Sequence, residues 1–321
     1  TEFTQKIDSF EVKDGIVSVD VKVTNTGDAA GKEVVQVYYT APYENGGIEK
    51  SHVVLGGFGK TQTLEPGKSE TVNIKFAVED MASYDYAGEG CYVLDAGDYE
   101  IKLMSNAHDV IEKETYTVDE KVVYDEDNKR SSDEVAAVNH FDDVSNGDGL
   151  TYVSRADWEG TLPTERVTEK EAGEGILEAM ANTSDVKDNG DEKITTGADN
   201  GLSLADLRGK DYDDEDWDAL LDQMTIDEMS NLIGYGAYST QAVSSINKPA
   251  TTDLDGPAGL NGLTSGVSGV QFTTEPVLAA TWNLELAERF GECFGKEANA
   301  CGVSGLYAPA MNIHRTPFSG R

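Results

Sequence analysis

Two short stretches of this sequence bring together side chains that could do chemistry. The first is LDGPAGLNG, where Asp255 stands directly before a run of glycines. An ionised carboxylate at such a place can accept hydrogen bonds from two neighbouring hydroxyls at once. Gly256 and Gly259 would let backbone approach a ligand closely, and Pro257 stiffens the turn. The second is NIHRTPFSGR, with His314, Arg315 and Arg321. A guanidinium forks onto vicinal oxygens, so both arginines are candidate ligand groups. Each stretch also has an ordinary use. Asp-Gly-Pro turns commonly cap their own backbone, an arginine can serve a structural ion pair, and a lone histidine is more often a packing residue than a base.

These loops need elements to hold them. Around them the sequence has a β/α rhythm from about residue 250 onward. A strand leads into Asp255, and TWNLELAERFGECFGKEANACG forms a helix. Asn283 is its N-cap, Leu286, Phe290 and Cys293 share a face, and Gly302 closes the helix in the left-handed region. VSGLYAPAMN is then an apolar strand. Ligand groups in α/β folds gather at the C-terminal ends of parallel strands, where both loops fall. Upstream, DYDDEDWDALLDQM places Trp217, Leu220, Leu221 and Met224 on one helical face, with its acids in the first turn. Thr225 opens a second short helix, whose TIDE is a capping box closed by Glu228.

The first hundred residues follow a different period. Val17, Val19, Val21 and Val23 alternate with polar neighbours before a turn at Asn25–Gly27. EVVQVYYT is a second strand. A turn at Pro66-Gly67 precedes Val72, Ile74 and Phe76, and Gly97 leads into Tyr99, Ile101 and Leu103. Short strands divided by turn signals indicate an antiparallel sandwich, with a small barrel as the alternative. Between about 111 and 200 the pattern weakens. TYTVDEKVVY suits one more strand, and the acidic remainder is either an ordered strap or a linker. DVKDNGDEKITTG has the look of a calcium loop, but Lys187 and Thr196 occupy positions that require oxygen ligands, so it is an acidic solvated loop.

Composition narrows the class of partner. The 321 residues carry 25 Lys+Arg against 60 Asp+Glu, a formal charge of −35. Such a surface repels phosphate backbones and anionic headgroups, so neither nucleic acid nor membrane is an expected partner. A neutral small molecule meets no such barrier. Cys91, Cys293 and Cys301 are too few and too scattered for a disulfide framework. On a helix, Cys293 and Cys301 would stand about 12 Å apart in rise, so all three read as reduced, small apolar residues. That points to a reducing, cytoplasmic compartment. No zinc-like His/Cys spacing, phosphate loop or nucleotide glycine motif occurs.

Taken in order, LDGPAGLNG and FTTEPVLAATWNLELAERFGECFGKEANACGVSGLYAPAMNIHRTPFSGR resemble the opening of the catalytic barrel of glycoside hydrolase family 3. VTNTGDAAGKEVVQVYYTAP, LGGFGKTQTLEPGKSETV and LDAGDYEIKL resemble the same family's fibronectin type III-like domain. Here that domain precedes the barrel, as in a rearranged branch of the family. The resemblance implies a multidomain chain: an all-β sandwich over 1–110, a connecting strap over 111–205, and the first part of an α/β, TIM-type barrel over 206–321. It also implies that the sequence is a fragment of a longer retaining, exo-acting β-glycosidase acting on terminal β-linked sugars, without metal or organic cofactor. Asp255 matches the family's sugar-binding aspartate and Arg321 the arginine of its Gly-Arg motif. The catalytic carboxylates are expected outside these residues, so no catalytic group is assigned within them. Asn261 departs from the pattern, since many members carry arginine there. Two rivals stand beside this reading. A non-catalytic carbohydrate-binding or docking module would show a flat row of exposed aromatics, and an aldolase-type barrel would need a Schiff-base lysine at a strand end.

Overall fold

The computed structural model describes residues 1–139, 154–157, 172–181, 195–256, 258–262 and 265–309. The chain divides into two compact units, Thr1–Glu171 and Ala172–Arg321.

The first unit is a two-sheet sandwich. One sheet has the order β1-β2-β5, from Phe3–Lys13, Ile16–Asn25 and Ser69–Ala77. The other has the order β4-β3-β8-β9, from Val54–Lys60, Val34–Thr40, Gly97–Met104 and Val110–Val118. All pairings within both sheets are antiparallel. The valine alternation explains the inner face: Val17, Val19, Val21 and Val23 are all fully buried, packed with Val35, Val37, Ile74, Phe76, Ile101 and Leu103. A barrel is excluded because β5 and β1 end their sheet without strand pairing to the other.

Two devices draw the sheets together at their edges. On one side, the glycines of LGGFGK let β4 lie against β5. A Cβ on Gly57 would stand 2.8 Å from Ile74 Cγ2, and one on Gly59 2.7 Å from Val72 Cγ1. On the other side, the Ile7 backbone N–H of β1 donates to Glu112 Oε2 of β9 at 2.6 Å. Buried Tyr99 donates from its hydroxyl to the Asp95 carbonyl, four residues upstream, at 3.2 Å. This is the tyrosine corner familiar from immunoglobulin-like sandwiches.

A small accessory sheet takes two strands from the segment between β5 and β8 and a third from beyond β9. Its strands β6 (Ser83–Tyr84), β7 (Tyr92–Leu94) and β10 (Val122–Tyr124) run in the order β10-β7-β6. TYTVDEKVVY is therefore divided between the end of β9 and β10. Beyond it the chain stays on the sandwich. Arg130 lies over the Tyr92 ring at 3.8 Å and forks onto Asp133, and Ser131 donates its backbone N–H to Glu79 Oε1 at 3.0 Å. Further on, the Arg155 guanidinium covers the Tyr43 ring at 4.1 Å, while Glu49 accepts from the Arg155 backbone N–H and the Ser154 hydroxyl. Residues 130–133 and 154–155 of the connecting segment thus make contacts to the sandwich.

The second unit contains α1 (Glu174–Ala181), α2 (Asp216–Leu221), α3 (Ile226–Gly234), α4 (Glu275–Ala279) and α5 (Leu284–Ala300). Its strands β11 (Ser239–Thr240), β12 (Thr251–Asp255) and β13 (Gly305–Tyr307) have the order β11-β12-β13. β12 and β13 are parallel, with α4 and α5 in the crossover between them. α2 is shorter than its acidic run suggests. Asp211 lies before the helix, where its carbonyl accepts from Trp217 Nε1 at 2.8 Å. Leu220 and Met224 are buried, but Leu221 is 54% exposed and leaves the expected apolar face.

Candidate functional site

Asp255 sits at the C-terminal end of β12 because that strand alternates. Leu254 is buried against Leu260 and Phe294, which turns the neighbouring Asp255 the other way. Register then brings Asp255 opposite Tyr307, the last residue of β13. A third group comes from the edge strand. Tyr238, immediately before β11, donates from its hydroxyl to Asp255 Oδ2 at 3.2 Å. The carboxylate thus lies with two tyrosines at one end of the parallel pair. Tyr238 and Tyr307 are 48% and 75% exposed, so the group opens to solvent. The negative charge of Asp255, and then the hydrogen bond to it, raise the Tyr238 phenol above its ordinary value and keep its proton in place.

The loop after Asp255 folds back on itself. Asn261 N donates to the Asp255 carbonyl at 3.4 Å, Gly269 N to Leu260 O at 3.1 Å, and Phe272 N to Ala258 O at 2.8 Å. Gly259 has φ +142°, and a Cβ there would lie 2.6 Å from the Val270 carbonyl, so no other residue fits. The α5 helix supplies the brace. Its Glu297 Oε1 accepts from Val270 N at 2.8 Å, and its Phe290 and Phe294 pack on Phe272 with ring centroids 4.9 and 5.6 Å away.

The α5 caps follow the sequence. The Asn283 side chain accepts from Leu286 N at 3.1 Å, and Gly302 has φ +70°. Its buried face differs from expectation. Phe294 is the buried residue, while Leu286 and Cys293 are exposed, as is Cys301. The apolar reading of the cysteines therefore holds for Cys91 alone, the buried one. Packing on Phe272 favours the 290/294 pair over 286/293, and only the fold places Phe272 there.

Arg321, His314 and Arg315 lie outside the described residues, as does most of DVKDNGDEKITTG. The structure therefore places one of the two expected binding residues, Asp255, and adds Tyr238, Tyr307 and Glu297. Tyr238 belongs to the irregular GYGAYST stretch, whose sequence carries no periodic signal. Among the described residues no group of three His, Cys, Asp or Glu side chains is arranged to hold a metal ion. None of the described helices is long and apolar enough to cross a membrane.

Comparison with known proteins bears on what this arrangement belongs to. Residues 33–107 match the fibronectin type III-like domain family. Beta-glucosidase A of Butyrivibrio fibrisolvens is 30% identical over 331 residues, covering 97% of this chain. A β-glucosidase of Ruminococcus albus is 31% identical over 342 residues, covering the whole chain. Along almost its whole length the chain is similar to these β-glucosidases. It spans 38% and 33% of the length of these two relatives. A β-glucosidase from Paenibacillus barengoltzii, 24% identical, superposes with a TM-score of 0.65 over all of this chain and 35% of its own. At that identity the likeness concerns the fold. The β-glucosidase relatives thus align with both units, from the sandwich through the β12–β13 pair.

Proposed function

We propose that this chain is part of a retaining, exo-acting β-glycosidase, and that its second unit is the opening of a (β/α) barrel carrying the sugar-binding face. The observation that carries this reading is Asp255. It stands at the C-terminal end of a strand paired in parallel with β13, next to a loop tied back by backbone hydrogen bonds. Strand ends of this kind are where α/β barrels gather their ligand groups. The names of the relatives supply the substrate class: a terminal β-linked glucose or a similar neutral sugar.

In this reading Asp255 binds. A retaining mechanism needs two carboxyl groups only about 5 Å apart, one attacking and one passing protons. The family resemblance assigns both to other residues. Asp255 instead accepts from adjacent sugar hydroxyls, with Arg321 serving the same sugar. The acidic surface does not oppose a neutral ligand, which suits a sugar better than a phosphorylated metabolite.

The alternative, a carbohydrate-binding module built on the sandwich, has less support. Among the described residues of the first unit, Tyr86 stands out as a strongly exposed aromatic, at 61%. A single ring makes no flat platform.

The test is Asp255→Asn in the full-length protein, assayed on an aryl β-glucoside. Loss of two charge-assisted hydrogen bonds corresponds to a fall in kcat/KM of roughly 10²- to 10⁴-fold. The melting temperature should hold. Near-normal kcat/KM would remove Asp255 from the site.

A further inference from the structure

Tyr238 carries three features that an incidental surface tyrosine would not combine. Its hydroxyl donates to Asp255 Oδ2 at 3.2 Å. Its backbone carbonyl accepts from Asp253 N at 2.8 Å, anchoring it to β12 two residues before that aspartate. Its φ is +52°, in the left-handed region that a bulky side chain rarely adopts. Strain of this sort persists where the surroundings impose it, and it concentrates at ligand sites. Here the anchoring is the β11–β12 pairing, Ser239 with Thr252 and Thr240 with Thr251, which starts one residue later.

From this geometry we infer that Tyr238 is a positioning residue for the sugar-binding carboxylate, holding Asp255 Oδ2 so that Oδ1 faces the ligand. The inference rests on the β-glycosidase reading of Asp255. A carboxylate at a strand end turns about its terminal torsion, which has broad wells. A fixed donor on one oxygen selects one orientation before the sugar arrives, so less ordering remains for binding and for the transition state. The phenol suits this task. Asp255 itself keeps the Tyr238 proton on, so the donor persists across the working pH range. Tyr307, opposite Asp255 on β13, is 75% exposed.

The experiment is a double-mutant cycle in the full-length protein, with Tyr238→Phe, Asp255→Asn and the pair, assayed on an aryl β-glucoside. Tyr238→Phe keeps the ring and removes the donor. Its hydroxyl is solvent-accessible, so the melting temperature should stay where it is. The expected result is a loss of about tenfold in kcat, with KM changed by less than about twofold, because the positioned carboxylate matters most as its bonds tighten. In the Asp255→Asn background the same substitution should cost almost nothing, since the group it acts through has changed. A normal kcat for Tyr238→Phe, or an equal loss in both backgrounds, overturns the positioning role while leaving Asp255 as the sugar ligand. Near-normal activity of Asp255→Asn removes the site itself, and the inference with it. If Tyr238→Phe lowers the melting temperature, Tyr238→His decides. Activity restored by a donor at that position supports the role, and activity that stays lost at a recovered melting temperature overturns it.

Discussion

Glu297 on α5 accepts the backbone N–H of Val270 at 2.8 Å, so a helix carboxylate holds the far side of the loop that begins at Asp255. Its other oxygen, Oε2, is buried with no hydrogen-bond partner among the described residues, and a Cβ on Gly269 would stand 2.8 Å from it. The arrangement adds to the loop's own backbone bonds one acceptor that is distant in sequence.

Glu297→Ala should therefore loosen the 258–272 loop. It removes the acceptor of an exposed Val270 N–H and opens a gap beside Gly269, at a cost of about 0.5–1.5 kcal/mol. In the full-length protein kcat/KM should fall together with the melting temperature. Glu297→Gln keeps an acceptor for Val270 and should stay close to the parent in both. Melting curves and kinetics on one preparation of each variant check this, and an unchanged Glu297→Ala would show that the loop holds itself.

Asn25 ties the sandwich at the end of β2. It is fully buried, donates to the carbonyls of Leu64 at 2.7 Å and Ala29 at 2.9 Å, and accepts from Gly27 N at 3.0 Å. Alanine removes all three bonds; Gly27 N keeps the Glu2 carbonyl and the Leu64 carbonyl keeps Gly31 N, but the tie from β2 across to residues 29 and 64 is lost. We expect a loss of about 2–4 kcal/mol, read from urea unfolding of the chain. Asn25→Asp should be worse than alanine at neutral pH, because a carboxylate cannot donate to Leu64 and Ala29.

Acid should weaken both units, with an identifiable contribution from two glutamates. Hydrogen bonds from Lys102 and Lys113 hold Glu100 down at about 2, against an ordinary 4.5. Backbone N–H groups of Thr225 and Ser245 do the same for Glu228, also to about 2. A carboxyl depressed in the folded state favours folding above its unfolded value, and loses that advantage as pH falls toward the folded value. The effect should thus be complete above about pH 4.5 and fade toward about pH 2. Exposure of Glu228 to solvent makes Glu100 the better test. Glu100→Gln should lower stability at about pH 6 and flatten its decline between about pH 5 and pH 2.5. Parallel pH profiles in the variant and the parent would refute it.

Limited proteolysis should separate the units. The sandwich pairs its strands continuously from Phe3 to Val118 around fully buried valines. The second unit exposes Ile233, Leu284 and Tyr307, at 84%, 69% and 75%. Local opening follows sparse burial, so early cuts should fall after residue 172 and leave a protected piece that contains the sandwich. Mass spectrometry of the fragments reads the result. Equal survival of both units would contradict it.

Local chemistry was enough for much of this protein. The valine alternation of β2, the capping box at Thr225, the Asn283 cap and the left-handed Gly302 each depend on neighbours within a few residues, and the sequence alone determined them. The same holds for the strand-end place of Asp255, because the Gly256-Pro257 pair that follows it breaks a strand wherever it lies. What pairs across distance was decided only in three dimensions. LGGFGK does not read as a strand, since glycines weaken one in isolation; its reason is Ile74 and Val72, against which a side chain would clash. Leu286 and Cys293 share a helical face with Phe290, yet Phe272 packs on Phe290 and Phe294 instead. Tyr238 and Glu297 meet Asp255 and Val270 across 17 and 27 residues of chain. Periodicity records which way a side chain points along its own element. It holds nothing about which distant backbone will be waiting there, and that is set by how the packed elements bring their ends together.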